Sequence, residues 1–378
     1  MKLNNRVFLV AVAGLLATLG QALVITDGDG ASPSDGRGVS AELFSDLEEL
    51  ARLVDISYCV GSTGVYNPFK CLSHCDEFEG FKLVTTWNTG PLLSDSCGYI
   101  ALSHPPYAKR IIVAFRGTYS LANTIVDLST VPQEYVPYPA DGDDDEIFTA
   151  SDNTKKCDNC TVHSGFWSSW KNSRSTILPA ILLAKQENPD YQVVLVGHSL
   201  GGAVAALAGL ELSLRGLDPQ VTTFGEPKVG NGEFAEFINA AFRLDLSTTS
   251  SDRYRRVTHV NDPVPLLPLK EWGYASHAGE IYISKLSLPP SITDLEVCEG
   301  NEDERCLAGV ETADSLEHMT TQTSSAMIQI QQNANEMQMQ LSLIPAKYRL
   351  WELFFSHRDY FWRIGLCVPG GDPGSWRW

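Results

Sequence analysis

Along this chain, short β-branched apolar runs alternate with stretches whose apolar positions recur every three or four residues. Residues 40–60 place Leu43, Leu47, Leu50 and Val54 at helical spacing. Two apolar runs, 98–104 and 109–115, are joined by Pro105-Pro106 and predict a hairpin, the second run being apolar enough for a central strand. Helical spacing returns over 119–131, with Leu121, Ile125, Val126 and Leu128 set among Ser, Asn and Asp. Beyond a polar loop the order is helix (165–188), strand (192–196), helix (199–215), strand (221–224), helix (232–242) and strand (255–260). This alternation predicts an α/β fold, a mostly parallel central sheet with helices on both faces, the hairpin lying at one side.

The sharpest break in the pattern is Gly197-His198-Ser199-Leu200-Gly201, between the apolar run 193–196 and a small-residue helical run. Strand, tight turn and helix in that order hold a serine hydroxyl away from the sheet, and the N–H groups at the helix start point where an oxyanion would form. A phosphate-binding loop is the competing reading, but no Lys follows the glycines at P-loop spacing. Such a serine needs a base, and the base a carboxylate, in the chain order Ser, Asp or Glu, His. Asp262 follows the strand 255–260 and precedes Pro263, a turn at a strand end, which makes it the candidate carboxylate. Of the later histidines, His277 lies between aromatic-containing segments and reads as structural, and His318 sits in a polar helical stretch. His357 falls in a break between apolar runs near the end of the chain and is the candidate base.

Composition narrows the setting. Lys2 and Arg6 precede an apolar run over 7–20, too short to span a bilayer, and Gly20-Gln21-Ala22 offers a cleavage site. Residues 1–22 are therefore predicted to be a secretory signal and not an anchor. Residues 23–38, rich in Gly, Asp and Ser, predict a disordered or propeptide segment, with Arg37 marking its end. Loss of the signal takes the formal charge from −18 to −20, so charge does not draw the chain to nucleic acid or anionic membranes. The expected partner is a neutral lipid ester, met by a monomer through apolar contacts. With no linker dividing them, residues 39–367 predict one domain, followed by a tail over 368–378.

Nine cysteines suit an oxidising compartment, and the close pairs Cys71/Cys75, Cys157/Cys160 and Cys298/Cys306 suggest local staples, leaving Cys59, Cys97 and Cys367. Spacing alone leaves the connectivity open. Cys157-Asp158-Asn159-Cys160 lacks the surroundings of a redox motif, and the cysteines are not spaced as two zinc-ligand pairs. In the acidic loop, 132–158, Asp141, Asp143 and Asp145 have EF-hand spacing, but Glu146 stands where Gly is required and no helices flank it. No metal and no cofactor is expected. Asn159-Cys160-Thr161 is a formal glycosylation sequon.

Several segments together resemble the class 3 secreted fungal lipases: Val113-Ala114-Phe115-Arg116-Gly117-Thr118, His163-Ser164-Gly165-Phe166, Gly197-His198-Ser199-Leu200-Gly201-Gly202, Phe224-Gly225-Glu226-Pro227-Lys228-Val229-Gly230-Asn231, Val260-Asn261-Asp262-Pro263-Val264-Pro265, and His357 followed by Tyr360-Phe361. They occur in the family's order and cover most of 40–286, resuming over 350–367. The resemblance implies the α/β-hydrolase fold, a Ser199–His357–Asp262 triad, and an oxyanion hole from the backbone N–H groups of Thr118 and Leu200. It implies disulfides Cys59–Cys367, Cys71–Cys75 and Cys157–Cys160, with Cys298–Cys306 as an addition and Cys97 free. It also makes 119–128 a lid helix. Exposing Leu121, Ile125, Val126 and Leu128 would cost roughly 2 kcal/mol each, so this lid is expected to stay shut in water and open on oil.

These implications point to a secreted serine lipase acting on acylglycerols, triacylglycerol first. A mono- and diacylglycerol lipase, a phospholipase A1 and a feruloyl-type esterase are the alternatives on the same fold. A non-catalytic binding protein would lack a triad member, and none is missing. Residues 286–350 depart from the family pattern and hold Met319, Met327, Met337 and Met339. Met327, Ile330, Met337 and Leu341 share helical spacing, while Met337, Met339, Leu341 and Leu343 alternate as a strand would. The segment reads as core packing of an extra element or as an adaptable flank of the acyl groove.

Overall fold

The computed structural model describes residues 37–90, 92, 94–118, 128, 135–137, 157–244, 253–311 and 356–368. The predicted signal, most of the predicted lid, the acidic run at 141–146, the four methionines and nearly all of the tail lie outside them. The described residues hold twelve strands: β1 (Lys82–Asn88), β2 (Cys97–Ser103), β3 (Arg110–Phe115), β4 (Tyr135–Pro137), β5 (Thr161–His163), β6 (Gln192–His198), β7 (Gln220–Phe224), β8 (Gly230–Asn231), β9 (Tyr254–His259), β10 (Tyr274–Ala275), β11 (Glu280–Ile283) and β12 (Leu295–Val297). Among the described residues the α-helices are α1 (Ala41–Ser57), α2 (Ser164–Glu187), α3 (Leu200–Leu214) and α4 (Gly232–Phe242).

Eight strands form the main sheet in the order β1-β2-β3-β6-β7-β9-β11-β12. β3, β6, β7, β9 and β11 pair in parallel, while β1–β2, β2–β3 and β11–β12 are antiparallel. Alternation along the strands explains their uniform apolarity. Ile111, Val113, Phe115, Val193 and Leu195 belong to one buried cluster with side chains of α2, α3 and α4. Ile112, Ala114, Val194 and Val196 belong to another with α1 and with Tyr360, Phe361 and Ile364. A strand covered on both faces shows no polar alternation, and that is the pattern the sequence carries. A small sheet of order β10-β8-β5-β4 lies apart.

The helices begin where capping residues stand. Ser40 accepts from the Leu43 N–H with its hydroxyl and Asn231 from the Phe234 N–H, each satisfying a backbone donor that the first turn leaves over. His163 caps α2, its Nδ1 accepting from the N–H groups of Gly165 and Phe166 at 3.0 and 3.3 Å. Burial pulls this imidazole down to about 4, which keeps it the neutral acceptor that the cap requires.

Several features differ from the sequence expectation. β1 extends the predicted hairpin outward, and its exposed, mixed side chains hide it from an apolar search. β4 and β12 are three residues each, too short to give a periodic signal. The segment beginning at 286 does not stand outside the fold at its start, because β12 joins the main sheet. Arg37 is tied to the edge of the sheet: its carbonyl accepts from the Val297 N–H at 2.8 Å, and its guanidinium pairs with Asp303 and Glu299. Disulfides join Cys59 to Cys367, Cys71 to Cys75, Cys157 to Cys160 and Cys298 to Cys306, and Cys97 is a buried thiol. The first spans 308 positions, which on the loop-entropy account is worth about 5 kcal/mol.

Candidate active site

Ser199 stands between the last residue of β6 and the first of α3. Its backbone is left-handed, with φ 59° and ψ −130°, a conformation that costs a non-glycine residue about 1–3 kcal/mol. The surroundings impose it: the Ser199 N–H donates to the Phe224 carbonyl at 3.0 Å, and its carbonyl accepts from the Gly202 N–H at 2.8 Å. Both flanking glycines are required by space. A Cβ on Gly197 would run into the Gly201 carbonyl, and one on Gly201 would run into the Phe115 carbonyl at the end of β3.

Asp262 lies in the turn that follows β9, where Asn261 takes a left-handed φ of 67° and the Asp262 N–H donates to the His259 carbonyl at 3.0 Å. Its carboxylate is fully engaged. Oδ1 accepts from the Val264 N–H at 2.9 Å, Oδ2 from the Tyr360 hydroxyl, and both oxygens lie 2.9–3.0 Å from His357 Nδ1. A carboxylate only accepts, so His357 Nδ1 carries the proton and Nε2 presents its lone pair. Burial pushes the Tyr360 phenol well above its ordinary value, and the Asp262 charge adds to that, so the hydroxyl remains a donor.

A second chain of hydrogen bonds holds His357 from behind. His198 Nε2 lies 2.8 Å from the His357 carbonyl, which only accepts, so Nε2 is the protonated nitrogen of His198. Its Nδ1 therefore accepts from the Tyr58 hydroxyl at 2.5 Å, and that oxygen in turn accepts from the Gly117 N–H at 3.1 Å. Desolvation, with His357 next, pulls His198 well below its ordinary value, so the ring stays neutral and the direction of every bond in the chain is fixed. The two imidazoles stack with centroids 4.6 Å apart.

The same chain ties in the loop after β3. Gly117 packs so closely that a Cβ there would come 2.9 Å from the Ser199 Cβ and would meet the Tyr58 hydroxyl. Arg116 braces the loop, donating to the carbonyls of Val60 at 2.8 Å and Gly117 at 3.1 Å. Thr118 follows, buried beside this contact, and Leu200 opens α3, where the first N–H groups have no acceptor within the helix.

Ser199, Asp262 and His357 are each 0% exposed. Among the described residues, neither Ser199 Oγ nor His357 Nε2 has a hydrogen-bond partner. Of the four apolar residues predicted for the lid, Leu128 is described, and it is fully buried in the cluster that contains Leu200, Val264 and Leu267. Leu121, Ile125 and Val126 lie outside the described residues. A cleft of about 690 Å³ opens elsewhere, beside α4, lined among others by Asp158, Glu233, Glu236 and Glu302, and borders none of the three.

The sequence missed the positioning partners. Tyr360 and His198 sit inside the quoted motifs, but nothing local marks what they bond to. Tyr58 ends α1, 140 positions from its partner His198, and gives no signal at all. His277 is bonded through Nε2 to Glu226 at 3.0 Å and through Nδ1 to the Ala278 carbonyl, a structural role away from Ser199.

The class 3 lipase family pattern matches residues 112–272, which include β3, β6, Ser199 and Asp262. Lipase A of Sodiomyces alcalophilus is 53% identical over 357 residues, covering 89% of this chain and 85% of that protein. The chain belongs to the class 3 lipase family. A secreted mono- and diacylglycerol lipase 2 of Gibberella zeae is 52% identical over 355 residues, covering 90% of this chain and 86% of that one. The crystal structure of the Lip2 lipase from Yarrowia lipolytica superposes with a TM-score of 0.67 at 29% identity, covering 88% of this chain and 97% of that one. This class 3 lipase therefore has the α/β-hydrolase fold and is a carboxylic ester hydrolase. No described helix is long and apolar enough to cross a membrane.

Proposed function

We propose that this class 3 lipase acts outside the cell on acylglycerols, through an acyl-enzyme on Ser199 with His357 as base and Asp262 as its orienting carboxylate. The observation that carries this reading is the pair of unpartnered atoms, Ser199 Oγ and His357 Nε2, with His357 Nδ1 committed to Asp262. Ser199 Oγ attacks the ester carbonyl as its proton passes to His357 Nε2. The tetrahedral oxyanion receives hydrogen bonds from the backbone N–H groups of Thr118 and Leu200, each worth about 3 kcal/mol in the transition state. Collapse expels the glyceride alkoxide, which takes the proton from His357, and leaves the acyl-enzyme. Water repeats the sequence, releasing the fatty acid and restoring Ser199.

Full burial of the three side chains, together with that of Leu128, supports a closed state. Lid opening on an oil surface predicts a rise in rate when a short-chain ester passes its solubility limit; a smooth saturation curve through that limit overturns this part. Triacylglycerol is the first substrate. Partial glycerides are a second reading, favoured by the name of the Gibberella zeae relative. The N-terminal apolar run, four disulfides and relatives named as secreted support an extracellular place of action. Release of fatty acid from tri-, di- and monoolein by the wild type, set against Ser199→Ala, tests the assignment. Loss of at least about 10⁴-fold is expected, and wild-type-like hydrolysis by the variant overturns it.

A further inference from the structure

Among the described residues, the exposed large apolar side chains include Leu92 at 66%, Leu286 at 65% and Ile292 at 36%. Leu92 lies in the turn between β1 and β2. Leu286 and Ile292 lie in the turn between β11 and β12. Strand directions place both turns at one edge of the sheet. β11 pairs parallel to β9, β9 to β7 and β7 to β6, so the end of β11 faces the same way as the end of β6, where Ser199 stands. β1 is antiparallel to β2, and β2 to β3, which is parallel to β6, so β1 ends at that edge too. The register agrees on both sides: Gly98 faces Phe115, and Phe115 faces Gly197. On the other side His198 faces Phe224, Phe224 faces Val257 and Val257 faces Ile281.

These are also the two outermost hairpins of the sheet, with β6 between them. At ~4.8 Å per strand spacing, β2 and β11 lie about 10 and 14 Å to either side of the serine strand. Neither turn is slack. In the first, the Thr89 N–H donates to the Ser96 carbonyl at 3.0 Å and the Leu92 N–H to Asp95 Oδ2 at 2.8 Å. α2 grips it through Ser169 Oγ, which donates to the Asp95 carbonyl, and Asn172 Nδ2, which donates to the Ser94 carbonyl. In the second, the Ser284 N–H donates to the Asp294 carbonyl at 2.9 Å, Lys285 Nζ to the Pro289 carbonyl at 2.9 Å, and Ser291 and Asp294 close a capping box. Each turn therefore presents its apolar tip to water. The Asp95 carboxylate is spent on the turn's own donors, and Lys285 lies 3.7 Å from Asp294, so neither tip carries a free charge toward a surface.

We propose that these two turns are apolar feet that seat the protein on a neutral acylglycerol–water surface with Ser199 between them. The proposal rests on the lipase reading above and adds which face meets the lipid. Charge selects the neutral surface: at a formal −18 the chain is repelled by anionic lipid. Exposure alone does not select the face. Leu182 and Leu183 are 42% and 55% exposed on α2, in the part that leads back to the start of β6 at the opposite edge.

Adsorption to triolein droplets, measured with Ser199→Ala as the parent so that the surface is not consumed, tests the idea. Leu92→Ser and Leu286→Ser are each expected to weaken adsorption about tenfold, and Leu92→Ser, Leu286→Ser and Ile292→Ser together at least about a hundredfold. Leu182→Ser with Leu183→Ser is expected to stay within about twofold, and vesicles of phosphatidylglycerol to hold little of any of the proteins. Unchanged adsorption of the triple variant, or an equal loss from the α2 pair, overturns the proposal. Hydrolysis of a dissolved short-chain ester by the protein with Ser199 intact separates the two levels. Wild-type hydrolysis with unaltered adsorption of the triple variant refutes the feet and leaves the lipase reading standing, whereas no ester hydrolysis by the wild type refutes that reading.

Discussion

Asp262 and His357 are held through their side chains as well as their backbone, whereas Ser199 is held by its backbone alone. The carboxylate accepts from Tyr360, Val264 and His357, and the His357 carbonyl is bonded through His198 and Tyr58 to Gly117. Ser199 spends its peptide groups on β7 and α3 and leaves its hydroxyl unbonded at a left-handed φ. The difference teaches what each half is for. A base that must present one particular nitrogen needs its tautomer and ring angle fixed from several sides. A nucleophile that must leave its rest position to attack is better placed by a rigid bend than by bonds to its oxygen.

The largest expected break in the comparison is Asp262→Asn. Its amide can face Nδ1 with an N–H, which turns the proton of His357 onto Nε2, and a fall of about 10⁴ in kcat with little change in thermal stability is expected from steady-state kinetics and melting. Acid separates the site from its scaffold. The His163 imidazole is lowered in the folded state to about 4, so the neutral form favours folding. That contribution, about 3 kcal/mol, is complete above the unfolded value near 6.5, declines as pH falls from there toward 4, and is absent below. Denaturant titrations from pH 7 to pH 4 should show this loss in the wild type and a flatter profile in His163→Gln.

Tyr360→Phe removes one donor from Asp262 and is expected to lower kcat about tenfold on a dissolved ester with KM unchanged, since it acts through the carboxylate. A KM effect of the same size would place Tyr360 against substrate instead. Ser199→Gly relieves the bend that Ser199→Ala keeps. It should be inactive yet melt roughly 2 °C above Ser199→Ala, a gain of about 1 kcal/mol. Tyr58→Phe is the smallest change, about threefold in kcat, because His198 keeps its bond to the His357 carbonyl while the bonds of the hydroxyl to His198 Nδ1 and Gly117 are lost.

How much of this was legible depended on how local each signal was. Ser199 declares itself within a dozen residues, since strand, bend and helix are written consecutively. The parallel order of the central strands followed from the same alternation. Asp262 was legible as a turn after a strand. His357 has no local signature beyond its loop near the chain end, which made it the candidate among the later histidines, and the family resemblance strengthened that choice. The outer strands were hidden for a physical reason: β1 faces water along much of its length, and β12 is held by pairing and by Arg37, not by a pattern of its own. The bracing of the site was invisible because Tyr58, His198 and Tyr360 bond across 98 to 159 positions.

The order of the parts along the chain has a consequence in time. A ribosome delivers Ser199 and Asp262 well before His357, and the bonds that seat the histidine reach back to residues already made: Asp55, Cys59, His198 and Asp262. Folding from the N-terminus builds the sheet and the serine bend first. Until position 357 emerges, the Asp262 carboxylate lacks its His357 and Tyr360 partners, and the core that Tyr360, Phe361 and Ile364 complete stays open.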